Sequence, residues 1–266
     1  MSSSDNRPLW AAGEKYEPFI GRWSRLVAAR FLDWLDIAGS KRWVDVGCGT
    51  GALLQSIFAT RKPTLVVGVD RSEGFLRHAG PGTPGEQPLL AVSDGQSLPF
   101  GAELFDAAVS GLVLNFVPQP ELMVREMSRV TRSGGVCALY VWDYAGKMEL
   151  LRYFWDSASH LDPEASKLDE GHFPVCRPRT LKTLFEGCGL LDVEVKALDV
   201  HTNFKNFDDY WGPFLGGQGP APAYAMSLRP EDRIALREDL RNRLPIEQDG
   251  SIKLVARAWA VKSRRA

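Results

Sequence analysis

The chain has 266 residues, 44% of them apolar and 24% charged, enough to bury a full core as one large domain or two small ones without disulfides or metals. Its 32 basic and 33 acidic residues leave a net charge of −1, which excludes the broad positive field on which nucleic-acid binding draws. The opening Met1-Ser2-Ser3-Ser4-Asp5 is polar and no run reaches the ~18 apolar residues of a membrane helix, so a cytoplasmic protein without a membrane span is expected.

Residues 1–15 are polar and read as loose. From Tyr16 to Leu35, apolar residues such as Ile20, Trp23, Val27 and Phe31 recur at three- and four-residue steps, which predicts an amphipathic helix ending near Gly39. Arg42 to Val46 is a short β-type run stopped by Gly47, Gly49 and Gly51. Ala52 to Ala59 reads as a helix, Thr64 to Asp70 as a buried strand, and Ser72 to His78 as a second helix. A Gly/Pro loop over 81–88 precedes a third strand, Leu89 to Val92. Phe105 to Leu114 is a fourth strand, Pro120 to Thr131 a helix, and Ser133-Gly134-Gly135 a turn into a fifth strand, Val136 to Trp142. Apolar strands alternating with helices predict a parallel sheet covered on both faces, doubly wound through right-handed crossovers.

Residues 143–188 are helical and aromatic. Leu190 to Asn203 is strand-like, Phe207 to Arg243 mostly helical with a break at 216–222, and Ile252 to Val261 a final strand. The two late strands read as a hairpin-like pair closing one edge of the sheet. The basic cluster Lys262-Ser263-Arg264-Arg265 reads as a solvated chain end. Cysteines at 48, 137, 176 and 188 form no Cys-x-x-Cys pair, so buried reduced thiols are expected, and no metal site.

The sharpest feature is Val44-Asp45-Val46-Gly47-Cys48-Gly49-Thr50-Gly51. A strand ends and three alternating glycines open a helix, so main-chain N–H groups face a space without Cβ atoms. At a strand's C-terminal end this makes a nucleotide-type site. Gly47, Gly49 and Ala52 also satisfy the dinucleotide fingerprint, so the glycines alone leave the ligand open. The acids bear on the choice. Asp45 would repel a pyrophosphate but can face an ammonium group. Asp70 ends strand two and can bond both hydroxyls of a ribose. Asp94-Gly95 follows strand three and can meet an adenine amino group. Acids on three successive strand ends fit a ligand with little phosphate better than a nicotinamide dinucleotide.

Taken with Val67-Gly68-Val69-Asp70, Val92 to Phe100 and Phe105 to Ser110, the block closely resembles the class I S-adenosylmethionine-dependent methyltransferases. Within them it is similar to the small-molecule branch that holds the ubiquinone/menaquinone methyltransferases. The likeness runs in order and spacing over about residues 15–145. It implies an α/β, Rossmann-like, doubly wound fold: a mostly parallel seven-stranded sheet with an antiparallel edge strand, and helical caps from the N-terminus and the C-terminal half. It implies one domain over 1–266, with an N-terminal helical lid over 1–40, a cofactor-binding core over 41–145, and substrate-side helices with the last two strands over 146–266. It assigns Asp45 and the loop Gly47, Cys48, Gly49 and Gly51 to the methionine part of S-adenosylmethionine. Asp70 is assigned to the ribose, Arg71 to the flank of the adenine, and Asp94, Gly95 and Gln96 to its edge. Ser110, Gly111 and Leu112 are assigned to the surroundings of the sulfonium. Tyr16 belongs to a segment that resembles the helix closing over the cofactor. Arg22 is a candidate for the cofactor carboxylate, with a solvated helix face as the alternative.

The likeness fades after Trp142, so the acceptor side inherits nothing residue by residue. A sulfonium methyl needs little activation beyond alignment and exclusion of water, and no acid or base is obligatory unless the acceptor must lose a proton. His160, His172 and His201 are candidates for that task, against the plainer reading as structural or surface histidines. Trp142, Tyr144, Trp155, Tyr210, Trp211 and Phe214 are candidates for an apolar acceptor pocket, at least half of them expected to be plain core. There is no phosphate loop of Walker type, no G-x-S-x-G elbow and no H-E-x-x-H helix. The expected function is methyl transfer to a small, partly apolar molecule, leaving S-adenosylhomocysteine. The alternatives are an NAD(P)-dependent oxidoreductase, weakened by the absence of Tyr-x-x-x-Lys, and a non-catalytic S-adenosylmethionine-binding protein. The acceptor and the oligomeric state are not legible in the sequence.

Overall fold

The sheet is built from β1 (Arg42–Val46), β2 (Leu65–Asp70), β3 (Leu89–Val92), β4 (Phe105–Gly111), β5 (Thr131–Trp142), β6 (Leu191–Phe204) and β7 (Ile252–Arg264). The computed structural model describes residues 20–79, 88–216 and 219–266, and among these the hydrogen-bonded order is β3-β2-β1-β4-β5-β7-β6. β1 pairs in parallel with β2 and β4, β2 with β3, and β4 with β5. β7 is the one antiparallel strand, slotted between β5 and the edge strand β6. The chain steps outward from β1 to β3, returns to β4 on the other side of β1, and steps outward again. The C-terminal ends of β1 and β4 therefore diverge around a crevice, the position at which open α/β sheets bind ligands.

The inner strands are buried because both faces are covered: Trp43, Val44 and Val46 of β1 and Ala107, Ala108 and Val109 of β4 have no exposed surface. The covering helices are α1 (Arg22–Leu35), α2 (Ala52–Arg61), α3 (Glu73–Ala79), α4 (Pro120–Val130) and α6 (Pro178–Gly187), with α5 (Glu149–Leu161) between β5 and α6. α1 buries Trp23, Val27, Phe31 and Leu35 on one stripe, and it ends at Asp36 in the left-handed region, three residues before the glycine at which the sequence predicted its stop. The segment 16–19 of the expected helix, with Tyr16, lies outside the described residues.

β5 begins five residues earlier than expected. Thr131 pairs with Phe105, the register then shifts, and Val136 pairs with Ala107. The predicted turn at 133–135 is thus an irregularity within the strand. The basic cluster is not a loose end either. Lys262 donates to the Trp34 carbonyl, the Ser263 hydroxyl donates to the Cys137 carbonyl, and Arg265 pairs with Glu103. Lys262 and Ser263 lie in β7 beside β5 and β6, which draws them off the solvated edge.

Beside the C-terminal end of β6 and the start of β7 sits a helical cap from α5, α7 (Phe207–Trp211), α8 (Pro220–Ser227) and α9 (Pro230–Arg243). Its centre is aromatic. Phe154 stacks on Phe214 at 4.5 Å between centroids, and Tyr210, Trp155 and Tyr224 surround them. The Tyr210 hydroxyl donates to the Leu150 carbonyl, which satisfies a group that would otherwise be buried alone. Cys48, Cys137 and Cys176 are buried free thiols and Cys188 is half-buried. Among the described residues no helix is long and apolar enough to cross a membrane, and no cluster of His, Cys, Asp or Glu is suited to a metal.

Candidate active site

A cleft of about 550 Å³ opens at the crevice between the ends of β1 and β4, within the size range of small-molecule sites. One wall is polar and carries Asp45, Asp70, Arg71, Asp94 and Gln96. The other is apolar, with Leu112, Val113, Phe116, Tyr140, Trp142 and Tyr144.

The turn after β1 forms the floor. The N–H groups of Gly47 and Cys48 both donate to the Val69 carbonyl, at 2.7 and 2.9 Å, which ties the turn to β2. Gly47 and Gly49 have φ of +75° and +53°, where side chains with a Cβ are strained. A Cβ on Gly47 would lie 2.6 Å from both γ carbons of Val113, whereas a Cβ on Gly49 would meet nothing within 4 Å. Gly47 is therefore glycine because the protein crowds it. Gly49 borders open space in the cleft.

The three strand-end acids differ in their surroundings. Asp70 accepts from the Gly49 N–H at 2.9 Å and the Ser72 N–H at 2.8 Å. Burial raises its carboxyl above the usual range, against the pull of those donors and of Arg71. Asp94 accepts from the Gln96 N–H at 2.9 Å. That bond, with the Gln96 side chain and the Arg71 charge, lowers its carboxyl. Gln96 also accepts from the Gln119 N–H at 3.0 Å, which locks the 94–96 turn against the start of α4. Asp45 is 1% exposed and neither carboxyl oxygen has a hydrogen-bond partner. Burial, then the charge of Asp70, pushes it up to about 8. The Leu54 N–H on α2 favours its charge without forming a bond of normal geometry. Burial, then Asp45 and Asp70, pushes the Cys48 thiol far upward, which removes it as a nucleophile.

The apolar wall rises from the ends of β4 and β5. Leu112 adopts φ of +63° and donates its N–H to the Tyr140 carbonyl at 2.8 Å, a strained non-glycine turn held by the neighbouring strand. Tyr140 and Trp142 alternate on β5 and face the same side. Tyr144 continues their row beyond the strand. Phe173 packs edge-on against both Tyr144 and Phe116, at 5.6 and 5.9 Å.

Of the residues singled out in the sequence, Asp45, Gly47, Cys48, Gly49, Asp70, Arg71, Asp94, Gly95, Gln96, Gly111 and Leu112 line this one cleft. Three do not. Gly51 starts α2 and packs on Ala79, where a Cβ would come within 3.2 Å. Ser110 is 1% exposed within the sheet. Arg22 is drawn to the cap, where it pairs with Asp209 at 2.9 Å and lies over the rings of Trp23 and Phe204. Ile20, just before α1, and Ser24, in its first turn, border the cleft instead. Of the six candidate pocket aromatics, Trp142 and Tyr144 line the cleft, while Trp155, Tyr210, Trp211 and Phe214 belong to the cap core. The histidines are elsewhere: His160 faces Asp239, His172 bonds the Ser166 carbonyl, and His201 lies on β6. Tyr140 was missed, although its alternation with Trp142 was a readable signal. Met123 and Val113 gave none, since both read as ordinary core.

Residues 44–139 match the family model described as a methyltransferase domain. Over 117 residues the chain is 40% identical to a ubiquinone/menaquinone biosynthesis C-methyltransferase from Syntrophotalea carbinolica, covering 43% of this chain and 47% of that protein. It is 32% identical over 176 residues to the erythromycin 3''-O-methyltransferase of Saccharopolyspora erythraea, 63% of this chain and 56% of the other. The chain thus spans about half the length of the curated relatives it matches. A crystal structure of a SAM-dependent methyltransferase from Thermotoga maritima superposes with a TM-score of 0.52 at 16% identity, over 95% of this chain and 94% of that one. Over residues 44–139, which build the crevice, this chain is thus similar to methyltransferase domains.

Proposed function

We propose that the cleft binds S-adenosylmethionine and that the chain transfers its methyl group to a small, partly apolar acceptor, leaving S-adenosylhomocysteine. The observation that carries the reading is the pairing, in one cleft, of three strand-end carboxyls and a glycine turn on one side with an aromatic wall on the other. The unpartnered Asp45 and the open space beside Gly49 fit a cationic, adenosine-bearing ligand. When bound, the cofactor supplies an electrophilic methyl on a sulfonium.

The chain's own part is positioning. Asp70 presents its remaining lone pairs to the ribose hydroxyls. Asp94 and Gln96, fixed to each other, meet the adenine edge, and Arg71 flanks it. Asp45 and the Gly47–Gly49 turn hold the methionine end. Gly111 and Leu112 stand beside the sulfonium. Tyr140, Trp142, Tyr144 and Phe116 orient the acceptor and exclude water, which strengthens every charge interaction in the cleft. The apolar wall favours an enzyme over a cofactor-binding protein without turnover, and the acids disfavour a pyrophosphate-bearing dinucleotide. The names of the two relatives span carbon and oxygen acceptors, so the acceptor atom is a matter for assay.

The test is isothermal titration with S-adenosylhomocysteine, in wild type and in Asp70→Ala. Saturable binding is expected in the wild type. The variant should bind ten- to a hundredfold more weakly, since hydrogen bonds to a charged group contribute about 1.5–3 kcal/mol. Absence of binding in the wild type at high micromolar ligand refutes the reading.

A further inference from the structure

Asp45 combines three properties that do not normally coexist. It is almost fully buried, both its oxygens lack hydrogen-bond partners, and it borders the cleft. A carboxylate taken from water without a partner is so costly that the group keeps its proton instead.

Its neighbours do not relieve this. From β2, Asp70 adds negative charge. Arg71, beyond it, acts on Asp70 rather than on Asp45. Cys48, in the following turn, is held as a neutral thiol. α2 contributes the Leu54 N–H. The flanking sheet residues, Gly68 of β2 and Val109 of β4, carry no charge. No cation is among the groups acting on Asp45. Asp70 has two backbone donors, so of these adjacent acids Asp45 is the one left to hold a proton.

We propose that Asp45 is protonated in the cofactor-free protein and gives its proton to solvent when a cationic ligand enters the cleft, so that cofactor binding releases one proton. The proposal rests on the reading of the cleft as the S-adenosylmethionine site. The carboxyl O–H loses its proton to the buffer, the carboxylate formed faces the ligand's ammonium group, and no covalent bond of the ligand changes. Affinity should rise with pH, by up to about tenfold per pH unit below the carboxyl's own titration, and level off above it.

The experiment is titration of the full chain with S-adenosylhomocysteine near neutral pH, in phosphate and in Tris, whose ionisation enthalpies differ widely. The dependence of the observed heat on the buffer counts protons. Close to one proton released in wild type, and none in Asp45→Asn, is expected. Tight binding in wild type with no proton released overturns the proposal and leaves the site assignment standing. Release that persists in Asp45→Asn also overturns it, because the proton then comes from another group. Absence of binding in wild type refutes the site assignment itself. Should Asp45→Asn not bind, ligand-free melting curves decide. Wild type should lose stability relative to the variant as pH rises from about 4 to 8, because the folded chain holds a proton that the unfolded chain has lost. Parallel curves overturn the proposal.

Discussion

Gly47 and Gly49 stand two residues apart in the same turn, both with positive φ, yet alanine should affect them differently. At either position a Cβ in the left-handed region costs about 1–2 kcal/mol. At Gly49 that is the whole effect on folding, because the Cβ meets nothing within 4 Å. At Gly47 the Cβ would sit 2.6 Å from Val113 Cγ1 and Cγ2. That overlap forces the turn or β4's end to move, which adds about 1–3 kcal/mol. For a chain of this size about 2 °C accompanies each kcal/mol, so Gly49→Ala should melt ~2–4 °C below wild type and Gly47→Ala ~4–10 °C below. Val113→Ala removes both γ carbons, so the double variant Gly47→Ala/Val113→Ala should recover part of the loss and show a coupling that Gly49→Ala/Val113→Ala lacks. Ligand binding should run the other way. Gly49→Val projects its branches into the cleft and should weaken S-adenosylhomocysteine by roughly ten- to a hundredfold while the protein stays folded. Equal melting temperatures for the two alanine variants, or wild-type affinity in Gly49→Val, would refute the geometry from which these figures are worked.

Two further substitutions probe the supports around the cleft. Arg129 bonds Glu126 through two nitrogens and donates to the Phe100 and Leu98 carbonyls, which ties the chain after Asp94–Gln96 to α4. Arg129→Met should cost about 1–2 kcal/mol in urea melts, a low figure because the guanidinium is partly exposed, and should weaken cofactor binding modestly. Unchanged affinity would mean that the 94–96 turn needs no such tether. Glu170 is 6% exposed and accepts a hydrogen bond from Trp155 Nε1, and burial pushes its carboxyl up to about 7. The folded chain therefore holds a proton that the unfolded chain loses above pH ~4.5. Stability should fall by a total on the order of 3 kcal/mol as pH rises from there to about 7. Glu170→Gln should flatten that part of the pH–stability curve, and a curve parallel to wild type would show that Glu170 does not titrate in this range.

The sheet was legible because parallel strands buried on both faces read as continuous apolar runs, and because turn chemistry punctuates them. The polar half of the cleft was legible for a related reason: the backbone itself builds it, and glycines and acids at strand ends mark where the main chain turns at the crevice. Gly47 and Gly49 were read alike from spacing, however, and only the position of Val113 separates crowding from access. The apolar half follows other rules. Trp142 and Trp155 are chemically the same residue in similar apolar surroundings, yet one borders the cleft and the other fills the cap, a difference set by how α5 packs against α8 and β7. Arg22 makes the same point with charge. Its partner Asp209 is 187 positions away, across an interface between α1 and the cap that no local pattern encodes. Wherever a side chain's task is decided by tertiary closure, as at Arg22, Ser110 and the cap aromatics, sequence pattern supplies only candidates. Wherever it is decided by the main chain, as at Asp70 with its two N–H donors, the pattern and the site coincide. The proposed acceptor should therefore be sought by varying the Tyr140–Tyr144 row and Phe116, which form the apolar wall of the cleft, since a fold shared by many activities does not by itself name the acceptor.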